Sequence, residues 1–403
     1  MMIRQFFCTA ALCAAATGAL ADPDPADWAA VTEEAQGQTV YWNAWGGSDA
    51  VNGFIDWLGA QALAQHGVTV THVKLSDTAE AVSRVLAEKT AGQDSGGAVD
   101  LIWINGENFA AMKEQGLLFG PWAEALPNFA LTDPAANAAL TADFTVPTEG
   151  LEAPWGMARL VFFHDSARLA EPPRSMAALA DWAAAHPGRF AYPQPPDFLG
   201  STFLKQALIE LTPDPALLSQ PVTDAAYDAA TTPLWAYLDA LHPNLWRQGR
   251  AWPQNGPRLV QLMADAEIDI GFDFNPNAAA NAIAAFQLPD TVRSHVHDGG
   301  TLGNASFVAI PYNAKAKAGA MVLANLLMSP EAQARMANPE VWGLGPVLAL
   351  DRLAPQDRAL FDALPLGEAT LDPAALGPTL PEPHPSWMDR LETDWTRRYG
   401  VAP

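Results

Sequence analysis

Between residues 39 and 116, short apolar segments alternate with single amphipathic helices, and that alternation admits few folds. Residues 39–42 (Thr-Val-Tyr-Trp) read as a strand, followed by a polar, glycine-bearing turn at 43–48 (Asn-Ala-Trp-Gly-Gly-Ser). Val51, Phe54, Ile55, Leu58 and Ala62 then recur at the three-to-four spacing that lines one face of a helix, with Ser48 or Asp49 to cap it and Gly67 to end it. Val68 and Val70 alternate with Thr69 and Thr71 in a second strand, and Asp77-x-x-Glu80 reads as a capping box for a helix through Val82, Val85 and Leu86. Residues 100–104 (Asp-Leu-Ile-Trp-Ile) form a third strand, whose helix stops at Gly116. Strands joined by single helices pair in parallel, and ligands of such sheets bind at the strands' carboxyl ends. Loops 43–49 and 105–108 occupy those ends.

A second α/β region follows. Residues 189–192 (Arg-Phe-Ala-Tyr), a proline-rich loop, a helix over 201–211 and a buried strand at 268–272 (Ile-Asp-Ile-Gly-Phe) suggest another sheet, with 273–276 (Asp-Phe-Asn-Pro) leaving its end. The chain passes between the regions at 151–157 and again near 277–298, and residues 303–311 read as a strand returning to the first. The expected division is 38–153 with 278–330 as lobe one, and 154–277 with 331–403 as lobe two. A chain of 403 residues exceeds what one hydrophobic core organises.

The first 21 residues read as a secretory signal, with Arg4 before an apolar run that closes in Ala19-Leu20-Ala21. Export to the periplasm as a soluble protein is therefore expected, with no membrane insertion, since the apolar run is too short to span a bilayer. Both cysteines, Cys8 and Cys13, fall inside this leader, which leaves no thiol for a disulfide or a thiolate metal site. Ala10 stands where a lipoprotein signal carries leucine three residues before its cysteine, which argues against a lipid anchor at Cys13. The chain carries 45 acidic against 22 basic residues, a net charge of −23, which repels nucleic acid and anionic lipid and favours the approach of cations.

Trp45-Gly46-Gly47, the 100–104 strand and Ala153-Pro154-Trp155-Gly156 together resemble the type II periplasmic solute-binding proteins of ABC importers. Residues 310–317 (Ile-Pro-Tyr-Asn-Ala-Lys-Ala-Lys) and 324–333 (Ala-Asn-Leu-Leu-Met-Ser-Pro-Glu-Ala-Gln) are similar to the strand, helix and "-SPE-Q-" turn of that family. With residues 342–346 (Trp-Gly-Leu-Gly-Pro), the likeness is nearest to a branch beside the thiamine, polyamine and ferric-iron binders. The resemblance implies an α/β, two-lobed type II fold, each lobe a mostly parallel sheet flanked by helices, with a hinge of two or more crossings. It also implies a small-molecule solute trapped between the lobes and the transmembrane subunits of an ABC permease as partner. A monomer without cofactor is expected. The chain's six tyrosines are scattered and give no tyrosine pair of the kind iron binders present, which argues against iron.

A buried cation needs compensating carboxylates and gains from aromatic faces. Asp273 at a strand end, Glu107 at a helix start and Asp197 are the candidate charges; Trp45, Trp155, Phe198 and Phe274 are the candidate rings. Gly46 and Gly47 let backbone amides approach a ligand, and Asn105, Asn275 and Asn304 offer neutral hydrogen bonds. This set suits a thiamine-like or polyamine solute. Gly200-Ser201 opens a helix whose amides would also receive a phosphate or carboxylate, so an anionic or sugar-like solute stays open. His295-x-His297-Asp298 offers three potential metal ligands close in sequence, without a further histidine nearby, and no metal site is expected.

A secreted hydrolase is the competing class. The chain has no G-x-S-x-G elbow, no H-E-x-x-H, no phosphate loop ending in Gly-Lys-Ser/Thr and no third glycine after Gly343-x-Gly345, so no catalytic residue is expected.

Overall fold

The computed structural model describes residues 22–400; the expected leader, 1–21, lies outside them. Helix α1 (Trp28–Ala35) opens the chain, capped by Asp27, whose carboxylate accepts from the Ala30 N–H. The sequence reading passed it over because its acidic, proline-bearing surroundings masked two buried residues, Val31 and Ala35. Then come β1 (Thr39–Trp45), α2 (Asp49–His66), β2 (Thr69–Leu75), α3 (Ala79–Thr90), β3 (Leu101–Ile104) and α4 (Gly106–Glu114). The buried face of α2 is Val51, Phe54, Ile55, Leu58 and Ala62, as its spacing dictates. Gly67 ends it in the left-handed region at φ +66°, handing its N–H to Ala62 and Leu63. Before α3 the box closes in a shifted form: Glu80 accepts from the Ser76 and Asp77 N–H groups, and Asp77 accepts from Ala79.

The larger sheet has the order β2-β1-β3-β10-β6, with β1 parallel to both neighbours. Here β6 is Glu152–Arg159 and β10 is Thr301–Ala309, after the short hairpin of β4 (Ala142–Asp143) and β5 (Val146–Pro147). Strand β10 runs antiparallel to both β3 and β6. The smaller sheet is β8-β7-β9, made of β7 (Val161–Asp165), β8 (Ile270–Asp273) and β9 (Val292–His295). Its pairs are antiparallel, not parallel as expected, because β7 enters from the other lobe and runs against the strands it joins. The expected strand at 189–192 reduces to one parallel bridge between Phe190 and Ile270. Around this sheet lie α5 (Met176–Ala185), α6 (Phe198–Leu211), α7 (Asp224–Leu241), α8 (Gly256–Ala264) and α9 (Ala278–Ala284).

Pairing fixes where the chain passes between the lobes. Strand β6 stays in the larger sheet to Arg159, so the first passage falls at Leu160, whose N–H bonds the Leu302 carbonyl at 2.8 Å, and not at 153/154. Strand β9 pairs only in the smaller sheet, so the second passage falls at 296–300 and not at 277/278. After α10 (Lys317–Leu327), α11 (Pro330–Ala337) and α12 (Pro355–Asp362), β11 (Thr379–Leu380) joins β10 beside Thr301 and Leu302. The chain then reaches α13 (Ser386–Tyr399), which packs on α6. Of the stretch assigned to lobe two, 331–403, the early part stays with the larger lobe: Met336 and Leu344 pack over Gly156, and Gly345 bridges Met157.

Candidate ligand cleft

The carboxyl ends of β1 and β3 carry the loops expected to bind. Gly46 is required there by its neighbour, since a Cβ would stand 2.6 Å from the Lys74 Cβ; Gly47 lies equally close under the ring of half-buried Trp45. Asn105 donates to the Ala305 carbonyl at 2.6 Å, tying its loop to β10. Gly106, at φ +58°, gives its N–H to Asp143 at 2.6 Å and leaves room for the Phe144 ring, which a Cβ would strike at 2.6 Å. The hairpin turn in turn holds Phe144 at φ +50°, an unusual conformation for an aromatic residue.

Glu107, in the first turn of α4, meets groups from the opposite lobe. Burial pushes its carboxyl up to about 7; the Lys205 ammonium on α6 opposes this, and Glu392 and Glu382 add to it. Lys205 is ion-paired with Glu382 at 2.7 Å, both side chains buried, and Asn304 donates to the same carboxylate at 2.8 Å. Ser201, one turn before Lys205, donates to Glu392 of α13 at 2.5 Å, and burial raises that carboxyl as well. Asp143 is raised well above the usual carboxylate range by burial, with Glu107 and Glu382 contributing.

A second group of carboxylates adjoins the first. Asp197 caps α6, accepting from Leu199 at 3.0 Å and Gly200 at 3.3 Å, so these amides are already engaged and not open to a solute's phosphate or carboxylate. Burial lifts Asp197 to about 6, with Asp77 across the cleft adding to the shift. Asp273, which accepts from the Asn275 N–H, is lifted to about 6 by burial and by Asp197. Phe198 stands 47 % exposed, edge-on to buried Phe274 at 5.3 Å. Glu107, Asp197, Ser201, Phe198, Asp273, Phe274, Asn105 and Asn304 thus gather where the lobes meet.

Two candidates go elsewhere. Trp155 is fully buried among Trp42, Phe54, Trp103 and Trp342, because its position on β6 turns the indole under α2 and away from the cleft. Asn275 spends its amide on the Trp342 carbonyl at 2.7 Å, and Asn277 does the same to Gly343 at 2.6 Å, so both clasp one lobe to the other. The histidine motif separates: His295 meets His164 at 3.1 Å, His297 meets Glu210 at 2.5 Å, and Asp298 pairs with Arg174. An open cavity of about 630 Å³, lined by His242, Arg250, Arg398 and Tyr399 among others, shares no residue with the cleft cluster.

Residues 57–350 match the family model for bacterial extracellular solute-binding proteins. The chain belongs to that family. It is 43 % identical to Protein YnjB of Escherichia coli (strain K12) over 375 residues, which cover 93 % of this chain and 94 % of that one. Among solved structures, the periplasmic binding protein AfuA of Actinobacillus pleuropneumoniae, with fructose-6-phosphate bound, superposes with a TM-score of 0.62 at 16 % identity, over 91 % of this chain and 99 % of its own. A putative spermidine/putrescine ABC transporter protein of Listeria monocytogenes gives 0.59 at 16 % identity, over 89 % and 98 %. At such identities the likeness is one of fold, two lobes joined by crossing strands. Among the described residues, no helix is long and apolar enough to cross a membrane.

The cluster at the lobe junction also contains residues that sequence reasoning missed: Asp143, Phe144, Lys205, Glu382 and Glu392. Lys205 had a signal, since it lies four residues after Ser201 and so shares its helix face. Glu382 and Glu392 had none, being separated by more than 170 residues from the α6 groups they touch.

Proposed function

We propose that this protein captures a small cationic solute between its lobes and delivers it to the membrane subunits of an ABC permease. The observation that supports this reading is the meeting of Glu107, Asp197, Asp273 and Glu392 at the lobe junction, each carboxyl raised by burial. Carboxylates crowded in a desolvated space repel one another, and a cation entering among them relieves that repulsion. Phe198 adds a half-exposed ring face to such a charge. Within this cluster Lys205 is already neutralised by Glu382. Solute contacts from both lobes stabilise the closed form, which is the shape a permease recognises. Thiamine-like and polyamine ligands are the two classes of cation to be compared in this cleft.

The anionic alternative draws support from Lys205 alone, while the amides of Leu199 and Gly200 that would assist it are taken by Asp197. Calorimetry with thiamine, putrescine, spermidine, 4-aminobutyrate and a hexose phosphate discriminates. A cation binding in the micromolar range, with Asp273→Asn weakening it about tenfold, is the expected result. Binding of the sugar phosphate with no cation bound would refute the proposal, and an unchanged affinity in Asp273→Asn would remove that residue from the site.

A further inference from the structure

Lys205 stands where a solute's positive charge belongs. Its side chain is 3 % exposed, and its ammonium is 2.7 Å from Glu382, itself 1 % exposed. The same nitrogen lies 4.4 Å from the centre of the Phe144 ring and 5.6 Å from that of Phe198. Glu382 is steadied from its other oxygen by Asn304 at 2.8 Å. Two ring faces and one carboxylate around a primary ammonium make up a receptor for an alkylammonium ion. Its walls come from three parts of the chain: the β4–β5 hairpin of one lobe, α6 of the other, and the segment between β11 and α13. The lysine's charge also reaches Glu107 and Glu392, whose carboxyls remain unpaired by it.

We propose that Lys205 is a tethered occupant of an alkylammonium site formed by Phe144, Phe198 and Glu382, and that by filling this site it restricts the cleft to solutes with one cationic centre. The solute's charge is left to Glu107, Asp197, Asp273 and Glu392, while a second ammonium finds its place taken. This rests on the cationic reading of the cleft, since it assumes the solute uses those carboxylates.

Chemical rescue tests it. Lys205→Ala empties the site and leaves Glu382 without its partner, so the variant should melt below the wild type. n-Butylammonium, which restores the charge on an apolar stem one methylene longer than the three carbons removed, should raise the melting temperature of the variant saturably and well beyond its effect on the wild type, with sodium chloride at equal ionic strength inert. Putrescine should bind Lys205→Ala about tenfold more tightly than the wild type. Adding Glu382→Gln should abolish both effects. Equal responses of wild type and variant to n-butylammonium, or a putrescine affinity unchanged or weakened by Lys205→Ala, would overturn the proposal.

Should Lys205→Ala not fold even with n-butylammonium present, the wild type alone decides: putrescine should gain nothing over n-butylammonium, and an advantage of about tenfold or more would defeat the idea. If the wild type binds no cation at all, the cationic reading of the cleft fails, while rescue of Lys205→Ala still reports separately on the alkylammonium site.

Discussion

Glu107 shows how one side chain couples occupancy to pH. Its carboxyl sits at about 7 in the folded protein against an ordinary value of 4.5, so between those limits the native state holds more protons than the unfolded chain. Stability must then fall as pH rises through that window, by about 1–3 kcal/mol for this group, and is unaffected by it below the window. Glu107→Gln removes the titration. The variant should therefore gain melting temperature relative to wild type as pH goes from about 5 to about 7.5, and a difference independent of pH would show that Glu107 does not titrate there. Cation binding has the opposite sign, because it favours the ionised carboxylate. Affinity should rise with pH up to about 7 and then level off, with protons released on binding, measured by calorimetry in buffers of different ionisation heat. Lys205 and Glu382 are ordinary letters in the sequence; what gives them chemistry is that each is denied water by residues distant in the chain.

At the scale of elements, the passages between lobes are held by Arg159 at the end of β6. Its guanidinium donates to Thr301 at 2.8 Å and to the Leu376 carbonyl at 2.6 Å, and also to Thr379 and Pro378, so one side chain binds the second passage and the segment entering β11 to the first passage. Arg159→Met keeps much of the apolar stem and deletes those bonds. It should cost about 2–3 kcal/mol in chemical denaturation and speed proteolytic cleavage within 363–378, since charge-assisted bonds lost from a buried site leave their acceptors unpaired. Unchanged cleavage would mean that β11 is held by its two-residue ladder with β10 alone. Helix α2 was legible in advance because its periodicity is local: its five buried residues follow from spacing. The lobe boundaries were not. A proline-bearing segment such as 153–156 resembles a linker until its pairing partner, β10, is known.

For the whole molecule, the quantity that matters is the balance between open and closed lobes. Asn275 and Asn277, leaving the smaller sheet, donate to the Trp342 and Gly343 carbonyls packed against the larger one, and Thr370 donates to Asn277 at 2.8 Å. Such bonds join the two lobes in this structure. Asn277→Ala should lower the closed fraction of the free protein, seen as a larger radius of gyration in small-angle scattering, and weaken solute binding about tenfold while saturating solute restores the compact form. No change in radius or affinity would assign the clasp no part in closure.

The sequence by itself determined that the chain makes α/β units, which face of α2 is buried, and that acidic and aromatic residues crowd the loops at strand ends. These follow from side-chain period and from turn chemistry, both of which act within a few residues. Only the tertiary structure decided that Trp155 packs inward, that Asp197 consumes the amides of its own helix, and that Lys205, Glu382 and Glu392 meet Glu107. Burial and charge interaction depend on distance in space, and chain separation carries almost no information about that distance once a sheet is shared by strands from both ends of the molecule.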